Sequence, residues 1–186
     1  MRIFISGGCK NGKSYHAQHM ARAQGSSPLY YIATMKPVCD EDNERIARHR
    51  MERDGWGFTT IEQPFNIAAI LDKCDHNSSF LLDSLTALLA NEMFLPDASV
   101  NEDAAEKIIM DLLLISDNIK NLVIVSDFIY GDAFVYDSIN EKYRKSLAEI
   151  DRAAAEKCDV VLEIVYGNVI IHKGKKIFGG LYHNLP

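Results

Sequence analysis

Short apolar runs alternate along the chain with longer stretches in which apolar residues recur every three or four positions. Short runs between turn signals are typical of strands buried in a sheet, and the longer stretches predict helices. The pattern predicts strands at residues 2–6, Leu29–Ala33, Thr59–Glu62, Ser79–Asp83, Leu122–Asp127, Val160–Val165 and Val169–His172. It predicts helices at residues 13–24, 66–73, 84–95, 102–119 and 138–157.

The order of these elements predicts an α/β fold. Strands that alternate with helices form a mostly parallel, doubly wound sheet with helices on both faces. Only Tyr166-Gly167-Asn168 separates the last two strands, which predicts a C-terminal antiparallel hairpin. No linker or repeat divides the chain, so we expect a single domain over residues 1–186. The tail Lys173–Pro186 is expected to be partly mobile.

A glycine-rich segment joins the first strand to the first helix and fits G-x-x-x-x-G-K-[ST] without a mismatch. Its glycines allow backbone N–H groups to point at phosphate oxygens, and the helix N-terminus attracts the same anion. We expect a P-loop NTPase-like fold that binds a nucleoside triphosphate, although a glycine-rich turn with a chance lysine is the alternative. Lys13 would reach the outer phosphates and Ser14 would bind Mg²⁺. The candidate phosphate-binding residues are Gly7, Gly8, Cys9, Lys10, Asn11, Gly12, Lys13 and Ser14.

The segment Asp40–Asp54 is densely charged and has few apolar residues. At helical spacing, Arg45, His49 and Arg53 fall on one face, where a histidine between two arginines is well placed to meet phosphate. The alternative is a solvated helix held by salt bridges, and spacing alone favours it.

Two other patterns could bind a metal. Asp83 ends an apolar strand, where an acid can hold Mg²⁺ beside a phosphate-binding loop; the alternative is an aspartate that only caps the next helix. His16 and His19 lie one helical turn apart. That spacing can bind a metal, but a solvated helix surface is the more common reason for it.

Composition narrows the class of protein. Hydrophobic residues make up 47% and charged residues 25% of the 186 residues, as in an ordinary soluble globule. A net charge of −6 argues against a nucleic-acid partner. The cysteines have no C-x-x-C spacing, which indicates a reducing compartment. We see no signal peptide and no apolar run long enough to span a membrane, so we expect a cytoplasmic protein.

The order of motifs resembles the bifunctional adenosylcobinamide kinase / adenosylcobinamide-phosphate guanylyltransferase family of cobalamin biosynthesis. The resemblance covers most of the chain. Besides the glycine-rich loop, it rests on Tyr31-Ile32-Ala33-Thr34, Arg45-Ile46, His49-Arg50, Trp56, Thr60-Ile61-Glu62, Leu81-Leu82-Asp83-Ser84-Leu85-Thr86, Asn91, Tyr143-Arg144, Asp159 and Gly167.

The resemblance implies two activities at one nucleotide site. The first phosphorylates the hydroxyl of the aminopropanol arm of adenosylcobinamide, and the second attaches GMP from GTP to that phosphate through a GMP–histidine intermediate. The family's histidine falls on His49, which makes His49 and Lys13 the candidate catalytic residues. The family also implies Mg²⁺ as a cofactor, ATP or GTP as the nucleotide substrate, and a homotrimeric assembly. By the same resemblance, further nucleotide contacts are expected from Thr34, Met35, Lys36, Arg50, Arg53, Glu62 and Asp83.

The chain departs from the family in its later half. Where the family usually has Asn-Glu-Val-Gly and a proline-containing loop, this chain has Ser126-Asp127-Phe128-Ile129-Tyr130-Gly131. Where the family usually has Gly and then Asn-Gln in the last long helix, the chain has Ala148 and Asp151-Arg152. These changes leave two alternatives open: a paralogous P-loop kinase that acts on another alcohol, and a nucleotide-binding regulatory protein without transfer chemistry.

Overall fold

The strands fall where the apolar runs predict them. The computed structural model describes residues 1–37 and 40–181, with the side chains at positions 41, 42, 45, 48, 49, 52, 180 and 181 outside the description. Its strands are β1 (Arg2–Gly7), β2 (Leu29–Ala33), β3 (Phe58–Glu62), β4 (Ser79–Asp83), β5 (Asn121–Val125), β6 (Val160–Val165) and β7 (Asn168–Lys173).

The described strands form one sheet in the order β3-β2-β4-β5-β1-β6-β7. The first six strands are parallel to their neighbours, and β7 pairs with β6 in the antiparallel direction. The predicted mostly parallel sheet with a C-terminal hairpin is therefore confirmed.

The helices agree with the predicted pattern except in two places. The predicted helix at residues 66–73 is a 3-10 helix, Ile67–Asp72, and part of the tail that we expected to be mobile forms a short helix. The last five residues, 182–186, lie outside the described residues. The α-helices are α1 (Lys13–Ala23), α2 (Asp40–Glu52), α3 (Leu85–Met93), α4 (Ala104–Asn118), α5 (Ser138–Lys157) and α6 (Lys175–Leu181). None of the helices within the described residues is long and apolar enough to cross a membrane.

Apolar side chains cover both faces of the sheet. On one face, α3, α4, α5 and the 3-10 helix pack on Phe4, Phe80 and Leu82. On the other face, α1 and α6 pack on Ile3 and Leu81. Because successive side chains of a strand point to opposite faces, continuous apolar runs fill both layers. Each fully buried aliphatic or aromatic side chain contributes about 1.5–3 kcal/mol to folding.

The strand register brings one row of residues to the carboxyl edge of the sheet. Glu62 pairs with Ala33, Ala33 with Asp83, Asp83 with Val125, and Val125 with Ile5. The loops that follow these residues therefore leave the sheet along the same edge. This edge is where ligands bind in open α/β sheets.

A carboxylate is buried beneath the loop that follows β5. Asp151 of α5 is only 3% exposed, and its Oδ2 accepts a hydrogen bond from the Tyr130 hydroxyl at 3.0 Å. Burial raises the pKa of Asp151 to about 7, because water no longer stabilises the charged form. The ionised side chain is therefore a source of instability at neutral pH.

We expect Asp151→Asn to stabilise the protein at pH 8 by several degrees in Tm, and much less at pH 5. The folded pKa of about 7 lies above the value of about 3.9 in an unfolded chain. The contribution of the protonated Asp151 side chain to stability is therefore fully present below about pH 4 and is lost as the pH rises through about 7. Each kcal/mol moves the Tm of a chain of this size by about 2–4 °C.

Thermal unfolding at the two pH values measures this difference. Asp117→Asn is the matched control, because the Asp117 side chain is 65% exposed. A Tm difference between wild type and Asp151→Asn that is the same at both pH values would contradict the prediction.

Candidate active site

The glycine-rich loop curls between β1 and α1 and is anchored to β6. Gly12 has φ 91° and stands at the N-cap of α1, a conformation that disfavours a side chain. Gly7 lies so close to β6 that a Cβ there would come within 2.5 Å of the Ile164 carbonyl oxygen. The Asn11 side-chain amide donates to the same carbonyl. These contacts anchor the loop to β6 at the N-terminus of α1, where a phosphate would meet backbone N–H groups.

Lys13 is buried beside the loop and makes three polar contacts. Its Nζ lies 2.8 Å from Asp127 Oδ1, donates to the Gly8 carbonyl at 2.6 Å, and lies 3.4 Å from Asn11 Oδ1. The Lys13 side chain is 7% exposed and that of Asp127 is 21% exposed. These contacts fix the ammonium group at the mouth of the loop. Sequence reasoning missed Asp127 as a site residue, although its position after an apolar strand was the available signal.

A cavity of about 480 Å³ opens beside this pair, between α2 and the carboxyl edge of the sheet. Asp127 forms part of its wall, which links the loop to the cavity through the ion pair with Lys13. Six of the predicted nucleotide-binding residues line it: Met35, Lys36, Arg50, Arg53, Glu62 and Asp83.

Thr34 has a different position from the one we expected. It is fully buried, and its Oγ1 accepts from the Ser84 amide and donates to the Ser84 carbonyl, both at 2.7 Å. Asn91 donates to the Thr34 carbonyl at 2.7 Å and to the Pro64 carbonyl at 3.1 Å. Thr34 and Asn91 thus fix the ends of β2 and β4, and we infer that the Thr34 side chain supports the cavity from behind.

Asp83 faces the cavity and does not cap α3. Its Oδ2 accepts from the Tyr31 hydroxyl at 2.9 Å. Ser84 is the N-cap residue instead, because its side chain accepts from the Ala87 amide at 3.4 Å. The capping alternative for Asp83 is therefore wrong.

Arg53 lies on the wall of the cavity, stacked on an aromatic ring. Its guanidinium carbon is 3.6 Å from the centre of the Tyr31 ring, and its Nη2 donates weakly to Thr60 Oγ1 at 3.4 Å. The residue is 7% exposed, and its buried Nη1 has no hydrogen-bond partner among the described side chains and backbone. A buried cationic donor of this kind is suited to an anionic or carbonyl oxygen of a ligand.

Arg50 and Glu62 form an ion pair at the mouth of the cavity. Arg50 Nη2 lies 2.7 Å from Glu62 Oε1, and both side chains are more than half exposed. Exposed pairs of this kind contribute at most about 1 kcal/mol, so a ligand can displace the pair at little cost.

The helix that carries the candidate nucleophile runs along the cavity. Asn43, Ile46, Arg50 and Arg53 of α2 and the turn after it line the wall. Position 49 belongs to the same helix, three residues after Ile46 and four before Arg53. The side chains of His49 and of Arg45 lie outside the described part of the structure, so their predicted roles remain predictions.

Tyr143 and Thr86 support Asp127 from α5 and α3. The Asp127 amide donates to Thr86 Oγ1 at 2.9 Å, and the Tyr143 hydroxyl donates to the Thr86 carbonyl at 2.8 Å. Burial raises the pKa of Tyr143 above its usual value, and the charge of Asp127 raises it further. The phenol therefore stays protonated and keeps its donor role at neutral pH. Only the order of motifs singled out Tyr143 and Thr86 in the sequence.

The donor atoms at this edge fit Mg²⁺. Ser14 and Asp83 offer hard oxygen ligands, and within the described residues Asp83 Oδ1 has no hydrogen-bond donor. No group of three or more His, Cys, Asp or Glu residues that could hold a metal occurs in residues 1–37 and 40–181. One carboxylate and one hydroxyl suit Mg²⁺, which keeps several waters and binds substrate phosphates.

His16 is buried and His19 is partly buried, so the expectation of a solvated helix surface is wrong for His16. His16 is 7% exposed, and its Nε2 lies 3.2 Å from the Gly167 carbonyl. The His19 ring packs edge-on against Trp56, with 4.5 Å between ring centres. Burial, together with the nearby charges of His16 and Arg22, lowers the pKa of His19. The His19 contact joins α1 to the turn after α2, and the His16 contact joins α1 to the turn between β6 and β7.

The chain matches the protein-family model described as cobinamide kinase / cobinamide phosphate guanyltransferase over residues 3–171. The bifunctional adenosylcobalamin biosynthesis protein CobP of Pseudomonas aeruginosa PAO1 is 28% identical over 178 residues, which cover 95% of this chain and 100% of that protein. The bifunctional adenosylcobalamin biosynthesis protein CobU of Escherichia coli K12 is 33% identical over 96 residues, which cover 50% of this chain and 51% of that protein.

Two solved structures resemble this chain at low sequence identity and with TM-scores below 0.5. The KaiC-like protein PH0186 of Pyrococcus horikoshii OT3 superposes with a TM-score of 0.49 at 14% identity, covering 92% of this chain and 78% of that one. A prototypical ATPase from the type III secretion system of pathogenic bacteria gives a TM-score of 0.43, also at 14% identity, covering 88% and 51%. The fold class follows from this chain's own strand order and phosphate-binding loop.

Proposed function

This chain belongs to the cobinamide kinase / cobinamide phosphate guanyltransferase family, and on that premise we propose how its residues share the two reactions. It is a nucleotide-dependent kinase and guanylyltransferase of cobalamin biosynthesis. The observation that carries this function is the family match over nearly the whole chain. Nothing in that match favours a kinase for another alcohol or a regulatory protein without transfer chemistry.

The kinase reaction is assigned to the loop edge of the cavity. Backbone amides of residues 7–14 hold the phosphates, and Lys13 stabilises negative charge on the phosphoryl group that is transferred. Its fixed position at the mouth of the loop supports this role, because a preorganised cation needs no rearrangement during the reaction. The acceptor is the hydroxyl of the aminopropanol arm of adenosylcobinamide.

Ser14 and Asp83 are the proposed ligands of Mg²⁺. When bound, the ion neutralises charge on the nucleotide phosphates. Asp83 is held for this task by the Tyr31 hydroxyl, which fixes one of its two carboxylate oxygens. Replacement of Asp83 would therefore weaken nucleotide binding in the presence of Mg²⁺ more than in its absence.

The guanylyl transfer is assigned to the α2 wall of the cavity. A neutral imidazole at His49 attacks the α-phosphorus of GTP, and pyrophosphate leaves with the electron pair of the broken bond. The phosphate of adenosylcobinamide phosphate then displaces the imidazole and takes the GMP. Arg53 is buried, its Nη1 has no partner in the described part of the chain, and its charge stabilises the charge that develops on the phosphate oxygens. Arg50 stabilises the same charge once its exposed ion pair with Glu62 is broken.

Three broader features belong to the same proposal. Both reactions are assigned to one domain over residues 1–186, and the protein is assigned to the cytoplasm because its cysteine pattern suits a reducing compartment.

The active form is a homo-oligomer, expected to be a trimer. Sedimentation equilibrium measures that assembly, and a monomer at assay concentration would contradict it.

The direct test supplies adenosylcobinamide with ATP or GTP and Mg²⁺ and follows the corrinoid by mass spectrometry. We expect a phosphorylated product with either or both nucleotides, and a GMP adduct of that product only with GTP. Omission of corrinoid is the control for spontaneous nucleotide hydrolysis. A protein that binds GTP but converts no corrinoid would contradict the proposed function.

A further inference from the structure

Asp127 is the acid that lies nearest to the proposed phosphate-binding lysine. Its Oδ1 is 2.8 Å from Lys13 Nζ, and its backbone amide is fixed by Thr86. Its second carboxylate oxygen, Oδ2, has no hydrogen-bond donor among the described residues. The side chain is 21% exposed and forms part of the cavity wall. One oxygen therefore holds the lysine, while the other is available to a ligand.

The other two acids of the described cavity wall are engaged elsewhere. Glu62 pairs with Arg50, and its side chain is 71% exposed at the mouth. Asp83 accepts from Tyr31 and is the proposed ligand of Mg²⁺. Asp127 is the remaining acid, and it lies within one hydrogen-bond length of the group that would hold the outer phosphate.

The two proposed reactions differ in their need for a base. In the kinase reaction the nucleophile is an alcohol, which must lose its proton as it attacks phosphorus. In the guanylyl transfer the nucleophiles are an imidazole with a free lone pair and a phosphate that is already anionic at neutral pH. A general base beside Lys13 would therefore serve only the kinase reaction.

Resting on the proposed function, we infer that Asp127 is the general base of the kinase step. The alcohol oxygen of the corrinoid arm forms a bond to the γ-phosphorus, and its proton passes to Asp127 Oδ2. The bond between the γ-phosphorus and the bridging oxygen breaks, and its electron pair stays on the nucleoside diphosphate. Meanwhile Oδ1 keeps Lys13 beside the phosphoryl group.

The test compares Asp127→Asn and Asp127→Glu with wild type in two separate assays. One assay follows phosphorylation of adenosylcobinamide, and the other follows GMP transfer to adenosylcobinamide phosphate that is supplied directly. We expect Asp127→Asn to lower the kinase kcat by about 10²–10⁴-fold, the usual contribution of a general base. GMP transfer should fall far less, by at most about tenfold, because the asparagine oxygen can still accept from Lys13 Nζ and neither nucleophile of that reaction needs a base.

The variant Asp127→Glu tests whether the kinase step needs a carboxylate at this position or only a side chain of the size of aspartate. Asp127→Glu keeps a carboxylate and should recover at least about tenfold of the kinase activity lost in Asp127→Asn. Asp117→Asn, on the exposed side of α4, is the matched control for loss of an acid. GTP binding, measured by thermal shift, should be retained in all of these variants.

Three results would overturn the inference. An equal loss of both activities in Asp127→Asn would mean that the residue only positions Lys13 for both reactions. A kinase rate of Asp127→Asn close to that of wild type would show that Asp127 is not the general base. Loss of GTP binding would show that Asp127 has a structural role in the nucleotide site. A wild-type protein without kinase activity would instead contradict the proposed function, so the two failures are distinguishable.

Discussion

Lys13→Ala should lose both activities, by on the order of 10³-fold, because both reactions place a triphosphate on the same loop. Alanine removes the ammonium group that the structure fixes with the Gly8 carbonyl and Asp127. It also leaves the Asp127 carboxylate beside the phosphates without its counter-charge, which opposes nucleotide binding. The measurement is kcat/KM for corrinoid phosphorylation and for GMP transfer, with GTP affinity from calorimetry.

Lys120→Ala is the control for loss of a lysine, because Lys120 is exposed and remote from the loop. Circular dichroism of Lys13→Ala checks that the variant is folded, because the substitution removes one partner of the Lys13–Asp127 ion pair. A folded Lys13→Ala protein that phosphorylates adenosylcobinamide at a rate near wild type would show that the loop does not hold the phosphates.

His49→Ala should separate the two activities. GMP transfer should fall by at least about 10³-fold, since removal of a covalent nucleophile generally costs an enzyme more than that. Phosphorylation should remain partly intact, because it needs no covalent acceptor. GTP labelled in the α-phosphate and in guanine, followed by intact-protein mass, measures the step directly. Wild type should carry a GMP-sized adduct that is acid-labile and base-stable, as a phosphoramidate is.

The exposed His172 is the matched control, since it pairs with Glu163 on the hairpin at the far edge of the sheet. The variant His172→Ala should keep the adduct, and His49→Ala should lose it. A GMP adduct that persists in His49→Ala would place the nucleophile elsewhere. Equal loss of both activities would make His49 a general nucleotide contact.

Prediction of the sheet succeeded because apolar periodicity and burial have the same physical cause. A strand covered on both faces has apolar residues on both sides, so the apolar run within Ser79–Asp83 was enough to predict a buried strand. The pattern was less informative where the local chain has more than one compatible conformation. Ile67–Asp72 was predicted as a helix and forms a 3-10 helix, and Lys175–Leu181 forms a short helix whose Phe178 packs on the sheet.

Sequence reasoning about the site was most specific where the chemistry lies in contiguous residues. The loop from Gly7 to Ser14 needs its glycines, lysine and hydroxyl at fixed spacing, because one turn of chain wraps one phosphate group. Asp83 was recognised by its position at the end of a strand, yet the sequence left its role open between a helix cap and the site. The Ser84 cap excludes the first of these roles, and the part that Asp83 plays in the site stays a prediction.

By itself, then, the sequence determined the fold class, the phosphate-binding loop and, through its motifs, the family. Only the tertiary structure decided that Asp127 meets Lys13, that Thr34 is buried behind the cavity, and that His16 is packed and not solvated. The reason is physical. Local spacing determines what one turn or one strand can present, but contacts between residues 50 or more positions apart depend on strand order and register, which only the folded sheet supplies.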